Sequence, residues 1–537
     1  MQNTLSRRGF VAASGAAAAA GLMAQAGLGA GAARADEAAM ANVVVPAGEA
    51  SSSYEADVVV VGLGASGLLA AHGAAAAGAK VVALDAAESM VGVTNVRTSG
   101  AWGVGSSLQK QFAEQLTLQQ AMDHINDGTN YQSNQKALRA ALGSTGRAVD
   151  ALSAAGMEWT HAFDSTGDDA TINNLGVHWY GLKGEDRAAV FSNMMEQDGV
   201  ECFFGCTAQS ALFDGDGNIC GVQAVGPDGE LVDFRGRAVV MCTGGFLGNP
   251  QMVAELFAGA EMVCMGNATN KGAGIKLAQQ AGAQIGKCFS ISMNEYGGAN
   301  TKASITYAFR PDTCNAAMRL PVFGGLLVDA EGGRFINEGF MCERCMFAAE
   351  PVVREGYHYA IADAAFMNRL ATEPVSDFYG DARMKGMFDG VVLSDLLEQF
   401  EAAVEEGWAF KADTLAEVAE HFDLVNLEAT VEEYNGYCES GSDEQFFKDA
   451  AYLNPVAEGP FYVVQSMPAG WLSLGGIKTN AAGQALDAHN HAVTGLYVAG
   501  ADADLFTSPY YQMASCNGFC LGSGIVTGEA AAAYALA

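Results

Sequence analysis

The stretch DVVVVGLGASGLLAAHGAAAAGAKVVALD, residues 57–85, determines the fold of this chain. The valines at 58–61 are typical of a buried parallel strand, and the apolar residues at 81–84 predict a second one. Between them, a glycine-rich turn leads into an Ala/Leu-rich segment with helical character. Strand, turn, helix and strand in this order predict a βαβ unit of the dinucleotide-binding kind. Asp85 ends the second strand and is placed to accept hydrogen bonds from a ribose.

The glycine turn has the spacing of a diphosphate-binding loop. Gly62 permits the tight turn after the strand, Gly64 lets a diphosphate approach the backbone, and Gly67 lets helix and strand pack closely. The diphosphate then lies at the positive end of the helix dipole. The predicted diphosphate-binding residues are Gly62, Gly64, Ala65, Ser66 and Gly67.

Residues 1–35 are expected to be a twin-arginine signal peptide rather than part of the fold. SRRGFV at 6–11 is a twin-arginine motif, the run after it is rich in Ala and Gly, and ARA at 33–35 matches an A-x-A cleavage site. A transmembrane anchor is the alternative, but the run lacks the Leu, Ile and Phe content that a bilayer core favours. We expect export to the periplasm or cell envelope, a linker at 36–53, and no stable membrane insertion.

The chain is strongly acidic. Its 28 basic and 61 acidic residues give a formal net charge of −33, which argues against nucleic acid and anionic membrane surfaces as partners. Twelve cysteines leave an iron–sulfur cluster open as an alternative, although the tight cysteine spacing of ferredoxins is missing. The closely spaced pairs are Cys202/Cys206, Cys342/Cys345 and Cys516/Cys520.

Further motifs follow the first loop in a fixed order. They are VVMCTGGF at 239–246, KGAGIKLAQQAGA at 271–283, GGIKTN at 475–480 and GLYVAG at 495–500. Together with the glycine loop, they resemble the FAD-dependent fumarate reductase/succinate dehydrogenase flavoprotein superfamily, which includes urocanate reductase, a cardiac glycoside reductase and the 3-ketosteroid dehydrogenases. The resemblance covers essentially all of 55–537.

The resemblance implies an α/β fold, in which a Rossmann-like FAD-binding domain of the glutathione-reductase type carries an inserted α+β capping domain. The FAD-binding domain takes residues 54–285 and 452–537, and the cap takes 286–451. The histidine that carries covalent flavin in respiratory complexes is missing from 92–103, so we expect non-covalent FAD. The further FAD residues implied are Thr94, Asn95 and Gly100 near the flavin, Ala208 near the adenine, Thr243 and Gly244 along the diphosphate, and Gly500 and Asp502 near the ribityl chain.

The residues with which fumarate reductases hold a dicarboxylate are missing at the matching positions. Their paired histidines correspond here to WLSLGG at 471–476, and their C-terminal arginine falls in TSPYYQMAS at 507–515, which has no cation. We therefore expect an apolar, aromatic pocket for a larger and less charged substrate. Tyr510 matches a carbonyl-binding tyrosine of the ketosteroid dehydrogenases, or it is a packing residue. The other predicted substrate residues are Trp471, Ser473 and Tyr307.

GRFINE at 333–338 matches a turn that, in fumarate reductases, precedes the catalytic arginine by four residues. That position is Cys342 here, and Arg344 follows two residues later. We predict that Arg344 donates the proton to the substrate carbon, provided that a relay resupplies it. Otherwise Arg344 is a structural charge and a tyrosine is the donor. The candidate tyrosines are Tyr510, Tyr511 and Tyr307.

The leading expectation is an exported FAD-dependent reductase of the class acting on CH–CH groups. It would transfer hydride from reduced flavin to an activated C=C bond of a largely apolar enone, unsaturated lactone or acid. The chain has one dinucleotide fingerprint and no nicotinamide-binding domain, so we expect a membrane-linked cytochrome or quinol system as electron donor. Two alternatives stay open: a 3-ketosteroid-type dehydrogenase working in the oxidative direction, and a non-catalytic flavin-binding paralogue.

Overall fold

The computed structural model describes residues 47–93, 100–161, 175–257, 259, 261–264, 266–287, 290–291, 295–298, 315–339, 349–378, 390–505 and 515–537. Within these ranges the chain forms two compact units. The nucleotide unit takes residues up to 260, then 264–294 and 470–537. The cap unit takes 261–263 and 295–469.

The elements are numbered in chain order. The strands are β1 (Ser52–Glu55), β2 (Val58–Val61), β3 (Val81–Asp85), β4 (Gly100–Trp102), β5 (Trp159–His161), β6 (His178–Gly181), β7 (Glu201–Phe204), β8 (Thr207–Phe213), β9 (Ile219–Val225), β10 (Leu231–Arg235), β11 (Ala238–Met241), β12 (Val263–Cys264), β13 (Ser290–Ile291), β14 (Glu295–Gly298), β15 (Leu326–Val328), β16 (His358–Ala362), β17 (Ala409–Ala412), β18 (Phe461–Gly470), β19 (Ser473–Leu474), β20 (Gln484–Leu486) and β21 (Ala492–Val498). The helices are α1 (Ala65–Ala76), α2 (Leu118–Gly128), α3 (Gln135–Leu142), α4 (Thr145–Ala154), α5 (Gly184–Gln197), α6 (Pro250–Leu256), α7 (Ala273–Gln280), α8 (Leu320–Phe323), α9 (Ala349–Glu355), α10 (Ala364–Thr372), α11 (Leu396–Glu406), α12 (Leu415–Phe422), α13 (Leu427–Ser440) and α14 (Ser515–Leu536). Short 3-10 turns lie at Met90–Gly92, Gln109–Gln111, Ala316–Arg319, Val375–Asp377, Ala450–Tyr452 and Gly500–Asp502.

The main sheet of the nucleotide unit has six strands in the order β20-β21-β11-β2-β3-β7. All of its strands except the edge strand β20 pair in parallel. A parallel sheet is covered on both faces, which is why β2 is an unbroken apolar run whose residues are at most 3% exposed. The predicted βαβ unit is therefore present as β2, α1 and β3.

Three smaller sheets complete the nucleotide unit. One has four strands in the order β1-β10-β9-β8, one has three in the order β4-β6-β5, and β13 pairs with β19. The four-stranded sheet follows the main sheet directly in the chain, because only two residues separate β7 from β8. The start of β8 therefore lies close to the end of β7 in the main sheet.

Helix α14 is the one helix among the described residues that is long and apolar enough to cross a membrane. In the structure it is a core helix, since 67% of its most apolar window is buried. A Cβ atom on Gly528 would lie 2.0 Å from the carbonyl oxygen of Ala70, and one on Gly524 would lie 2.3 Å from that of Ser66. Glycine at these positions lets α14 pack directly against the backbone of α1.

The cap unit is built on β18, which pairs antiparallel with β14, β16 and β17, while β15 pairs with β16. Helices α12 and α13 contribute apolar side chains to the core that covers this sheet. The buried residues of that core include Val328, Ile361, Val418, Val431, Tyr434, Phe461 and Val463.

The chain passes between the two units after residues 260, 263, 294 and 469. The boundaries predicted from the sequence are 285/286 and 451/452. The second difference has a physical reason: β18 pairs along its length with β16 and β17 and is therefore part of the cap sheet. Its sequence, FYVVQSMPAG, is typical of any buried strand, and only the pairing assigns it to a sheet.

Candidate cofactor and active site

The carboxyl ends of four parallel strands lie side by side at one edge of the main sheet. Val61 of β2 pairs with Met241 of β11 and with Leu84 of β3, and Met241 pairs with Val498 of β21. Open α/β sheets bind ligands in the crevice outside this edge. The predicted cofactor residues that follow these strand ends are Gly62, Gly64, Ala65, Ser66, Gly67, Asp85, Thr243, Gly244 and Gly500.

The three loop glycines are needed for different reasons. Gly62 has a φ of +95°, and a Cβ there would lie 2.4 Å from the carbonyl oxygen of Cys242. A Cβ on Gly67 would lie 1.7 Å from the carbonyl oxygen of Gly62, so the backbone itself excludes a side chain. Gly64 has a φ of −60°, and no described atom lies within 4 Å of its Cβ position. The space beside Gly64 is therefore free for a ligand at the start of α1.

Asp85 holds the glycine loop as well as facing the predicted ribose site. Its Oδ2 accepts the backbone N–H of Leu63 at 2.7 Å, and its Oδ1 accepts that of Ala87 at 2.8 Å. Burial raises the pKa of Asp85, although the two backbone hydrogen bonds act in the opposite direction. Each oxygen keeps a second lone pair, so the geometry is compatible with a further bond to a ribose hydroxyl.

Asp502 is completely buried and ties together the other half of the edge. Its Oδ1 accepts the N–H of Gly245 at 2.8 Å, and its Oδ2 accepts both the N–H and the hydroxyl of Thr243. The same hydroxyl oxygen accepts the N–H of Gly274, at the start of α7, at 2.9 Å. One carboxylate thus joins the end of β11, α7 and the turn that follows β21. Its contact with the ribityl chain stays a prediction.

Gly500 and Ser66 are in direct contact. Gly500 has a φ of +64°, and a Cβ there would lie 2.3 Å from the hydroxyl of Ser66. The N–H of Gly500 donates to the hydroxyl of Ser523 on α14 at 3.0 Å. The C-terminal segment therefore packs onto the first turn of α1, although more than 400 residues separate them in the sequence.

The segment Trp471–Gly476 lies against the same edge. The hydroxyl of Ser473 is buried and accepts the N–H of Phe246 at 2.7 Å. A Cβ on Gly266 would lie 1.9 Å from the carbonyl oxygen of Trp471, which is half-buried. Ser473 therefore supports the turn after β11, and the substrate contacts of Trp471 and Ser473 stay predictions.

The first turn of α1 fits a diphosphate. Gly64 provides no side-chain cap, and the turn contains no acidic residue, so its N–H groups and the helix dipole are available to an anion. A family model described as FAD binding domain matches residues 57–517, which include the whole edge. The chain belongs to the FAD-binding domain family. Its cofactor is FAD, and the loop Gly62–Gly67 with the strand ends around it stays the predicted binding site.

Relatives of this FAD-binding protein are oxidoreductases. Vinyl phenol reductase of Lactiplantibacillus plantarum is 28% identical over 89% of this chain and 96% of that protein. Digoxin reductase of Eggerthella lenta is 25% identical over 83% of this chain and 81% of that protein. The structure of 3-ketosteroid delta1-dehydrogenase from Sterolibacterium denitrificans in complex with 1,4-androstadiene-3,17-dione superimposes with a TM-score of 0.67 at 17% identity, over 89% of this chain and 99% of that one. These matches confirm the predicted superfamily and the α/β fold with its cap, and the chain is an FAD-dependent oxidoreductase.

Two further predicted FAD residues, Ala208 and Gly100, are connected to other parts of the nucleotide unit by hydrogen bonds. The N–H of Cys206 donates to the carbonyl oxygen of Asp85 at 2.9 Å, which brings the start of β8, with Ala208, beside Asp85. The side-chain amide of Asn517, on the first turn of α14, donates to the carbonyl oxygen of Gly100 at 2.7 Å. Asn517 was not predicted from the sequence, because nothing local relates it to a glycine in β4.

A second buried aspartate was also missed. Asp504 Oδ1 accepts the amide of Asn134 and the N–H of Thr479, each at 3.0 Å. The N–H of Asn134 in turn donates to the carbonyl oxygen of Leu505 at 3.2 Å. Burial raises the pKa of Asp504 to about 6. The one sequence clue is the alternation of aspartate with apolar residues in ADADL at 501–505, which predicts buried carboxylates but not their partners.

Several predictions fall outside the described residues. They are Thr94, Asn95, Tyr307, Arg344, Tyr510 and Tyr511, together with the signal peptide at 1–35 and most of the linker at 36–53. The eight cysteines within the described ranges carry free thiols. Those ranges contain no group of three or more His, Cys, Asp or Glu side chains that could hold a metal ion.

We expect the Asp502→Asn replacement to change the pH dependence of stability. Burial raises the pKa of Asp502 to about 6, while the bonds from Gly245 and Thr243 lower it in part. A carboxyl whose pKa is raised in the folded state contributes stability below its unfolded pKa, about 3.9, and this is lost as the pH rises through 6. Asparagine mimics the protonated form.

The free energy of unfolding of the wild type, relative to Asp502→Asn, should therefore fall by about 2 to 3 kcal/mol between pH 4 and pH 7. Urea unfolding of both FAD-loaded proteins at the two pH values measures the difference. A difference that does not change with pH would show that Asp502 titrates normally.

Proposed function

We propose that this flavoprotein is an exported reductase for the activated C=C bond of a largely apolar conjugated enone, lactone or acid other than fumarate. Reduced FAD, when bound, supplies the hydride for the β-carbon of that bond. The reaction belongs to the class of oxidoreductases acting on CH–CH groups, which suits the vinyl phenol and digoxin reductases among the relatives. The observation that carries the proposal is the chemistry of the segment Trp471–Gly476.

This segment lies at the cofactor edge without bringing a positive charge to it. Leu474 and Ser473 are buried, and a Cβ on Gly476 would lie 2.3 Å from the carbonyl oxygen of Asp502. Holding two carboxylates beside a hydride acceptor requires cationic groups directed at them. WLSLGG offers an indole, leucines and a hydroxyl already bonded to Phe246. The segment therefore favours a substrate with little charge.

We propose that the residues around the turn after β11 position the cofactor. Asp502 and Thr243 fix that turn, and Ser473 holds it from the other side. The proposed proton donors for the α-carbon are Arg344, Tyr510, Tyr511 and Tyr307.

The names of two relatives, vinyl phenol reductase and digoxin reductase, support an apolar substrate, while other relatives are named as fumarate reductases. The match with this chain spans 96% of vinyl phenol reductase. Neither its name nor that of digoxin reductase denotes a dicarboxylate substrate. The similarity also extends to urocanate reductase of Eggerthella lenta, so unsaturated acids stay within the proposed range.

Export and the electron donor are parts of the same proposal. SRRGFV at 6–11 supports passage through the twin-arginine pathway to the periplasm or cell envelope. A membrane-linked cytochrome or quinol system then supplies electrons, and the net charge of −33 suits a donor with basic patches. Cell fractionation of the wild-type chain and of the double variant Arg7→Lys/Arg8→Lys tests this route. Only the wild-type chain should leave the cytoplasm.

A dye-linked assay tests the reaction. The FAD-loaded protein is mixed anaerobically with reduced methyl viologen, and dye oxidation is followed with vinyl phenol, an enone steroid, a cardenolide lactone, cinnamate, urocanate and fumarate. We expect turnover with at least one of the first four and none with fumarate. Turnover of fumarate would contradict the apolar site.

The same assay separates the two alternatives. A 3-ketosteroid-type dehydrogenase would instead reduce an oxidised dye when given the saturated steroid. A non-catalytic flavin-binding paralogue would bind FAD and turn over no compound in either direction.

A further inference from the structure

The guanidinium of Arg187, in the first turn of α5, meets no counter-charge among the residues that the structure describes. Its side chain is 0% exposed, and its one hydrogen bond runs from Nη1 to the carbonyl oxygen of Leu182 at 3.3 Å. Nε and Nη2 have no hydrogen-bond partner, and no carboxylate in the described part of the chain lies within ion-pair distance of it. The ring of Phe191 lies 5.0 Å from the guanidinium carbon.

Such an arrangement is unfavourable for the protein by itself. Burial lowers the pKa of Arg187 to about 9, so the side chain is still positively charged at neutral pH. A buried charge without a partner costs several kcal/mol, and one aromatic contact offsets only part of that cost. An unsatisfied buried group of this kind calls for an explanation, and an ion that the protein binds is one of the recognised ones.

The topology places Arg187 at the cofactor edge. Helix α1 leads into β3, α5 leads through residues 198–200 into β7, and β3 and β7 are parallel neighbours. The ends of the two helices are joined, since the His72 Nδ1 lies 2.7 Å from Asp198 Oδ2 at the end of α5. Both helices therefore run back along the sheet, and their first turns lie at the same carboxyl edge.

The helix that carries Arg187 lies next to the helix that begins at the predicted diphosphate site. Helix α5 packs against α1 and against the turn Met90–Gly92, which follows β3. Packed helices lie about 8–10 Å apart, so the first turn of α5 is about one helix diameter from the loop at Gly64. A charge acting over that distance through the protein interior is screened far less by water and salt than a surface charge is.

We propose that Arg187 strengthens FAD binding at a distance: its uncompensated charge attracts the doubly negative diphosphate held by the glycine loop. No direct contact is needed, which is consistent with its complete burial. The diphosphate supplies the negative charge that the described residues around Arg187 do not. Arg187 is thus a cofactor-affinity residue that touches no part of the cofactor.

The test uses the apo and FAD-loaded full chain. Arg187→Met removes the charge and keeps an unbranched apolar side chain, and we expect about tenfold weaker FAD binding, which corresponds to about 1.4 kcal/mol. The affinity for riboflavin, which has no diphosphate, should not change. Arg187→Lys keeps a positive charge only where the buried ammonium stays protonated, so its FAD affinity is measured at pH 6, together with those of the wild type and Arg187→Met. Under these conditions it should bind FAD within about threefold of the wild type. Arg147→Met is the matched control, because Arg147 is exposed and paired with Glu529.

Flavin fluorescence titration gives both affinities, and thermal unfolding of the apo proteins is the second readout. The apo form of Arg187→Met should melt no lower than the wild type, because replacing an unpaired buried charge by an apolar side chain removes a cost. Unchanged FAD affinity in Arg187→Met would overturn the proposal. Equal loss of FAD and riboflavin affinity, or loss of FAD affinity in Arg187→Lys as large as in Arg187→Met, would overturn it too, since each points to a structural role.

Discussion

Replacing Gly67 by alanine should leave the protein unable to hold FAD. The new Cβ would lie 1.7 Å from the carbonyl oxygen of Gly62, and both residues belong to the turn that is predicted to bind the diphosphate. Relieving the overlap must move the start of α1 away from β2. We expect FAD affinity to fall by at least about 100-fold, roughly 3 kcal/mol, and the apo protein to lose at least about 1 to 3 kcal/mol of stability.

Gly64→Ala is the informative partner of this variant. Its backbone angles suit alanine, and no described atom lies within 4 Å of the new Cβ. The apo protein should keep its stability to within about 1 kcal/mol, while FAD binding weakens because the methyl group occupies the diphosphate's approach. Gly436→Ala, also in open space but inside α13 of the cap, should leave FAD affinity unchanged and raise stability by about 0.5 to 1 kcal/mol, because alanine favours a helix more than glycine does. FAD titration and urea unfolding of the three variants measure this, and a Gly67→Ala protein that binds FAD normally would disprove the loop's geometry.

Replacing Asp443 by asparagine should be the most destabilising single change in the cap. Arg334 donates to Glu338 and Asp443, with shortest distances of 2.8 Å to each, and Lys448 lies 3.4 Å from Glu338; all four side chains are completely buried. Lys448 also donates to the hydroxyl of Tyr434 at 2.9 Å. The two positive charges of this cluster, on Arg334 and Lys448, balance its two negative charges, on Glu338 and Asp443. Without the charge of Asp443, two buried cations share one carboxylate, and we expect a loss of about 3 to 5 kcal/mol.

The pH dependence of this loss follows from the pKa of Asp443. Burial alone would raise the pKa, but hydrogen bonds from Arg334 and from backbone N–H groups hold it well below its usual range. A carboxylate with a lowered pKa stabilises the fold above its unfolded pKa of about 3.9 and loses that contribution as the pH falls below it. Chemical unfolding at pH 7 should show the full difference between wild type and Asp443→Asn, and at pH 3 a smaller one.

The matched control lies in the same unit. Glu401 forms an exposed ion pair with Lys411 at 2.7 Å. Its replacement by glutamine should cost less than about 1 kcal/mol, because water and salt screen exposed pairs. Similar losses for Asp443→Asn and Glu401→Gln would mean that the buried network contributes no more than a surface pair does.

Residues 57–85 are an example of structure that can be predicted from local sequence. Four valines, three glycines at fixed spacing and an Ala/Leu-rich helix each have their structural consequence within a few residues, so strand, turn and helix could be predicted from the sequence. The same holds for VVMCTGGF at 239–246 and GLYVAG at 495–500, whose apolar runs end in glycine turns. Because parallel strands end at one edge of a sheet, these motifs also predicted which edge holds the cofactor.

The partners of the buried polar groups could not be predicted in this way. Asp502 bonds to Thr243, and Asp504 to Asn134, across sequence separations of 259 and 370 residues. The residues near each aspartate do not predict its hydrogen-bond donor, because the donor depends on how distant strands and helices pack together. The burial of Arg187 could not be predicted from the sequence either. A charged residue in the first turn of a helix is normally exposed, but packing of the distant elements around α5 buries this one.

By itself, the sequence determined the βαβ unit, the glycine loop that receives the diphosphate and the family to which the chain belongs, since each depends on residues that are close together in the chain. Only the tertiary structure decided that β18 belongs to the cap, that Asp502 joins the turn after β11 to α7, and that the charge of Arg187 lies buried near the cofactor edge. Strand pairing, hydrogen bonds between distant residues and burial of charge are properties of the packed fold, and local spacing does not encode them.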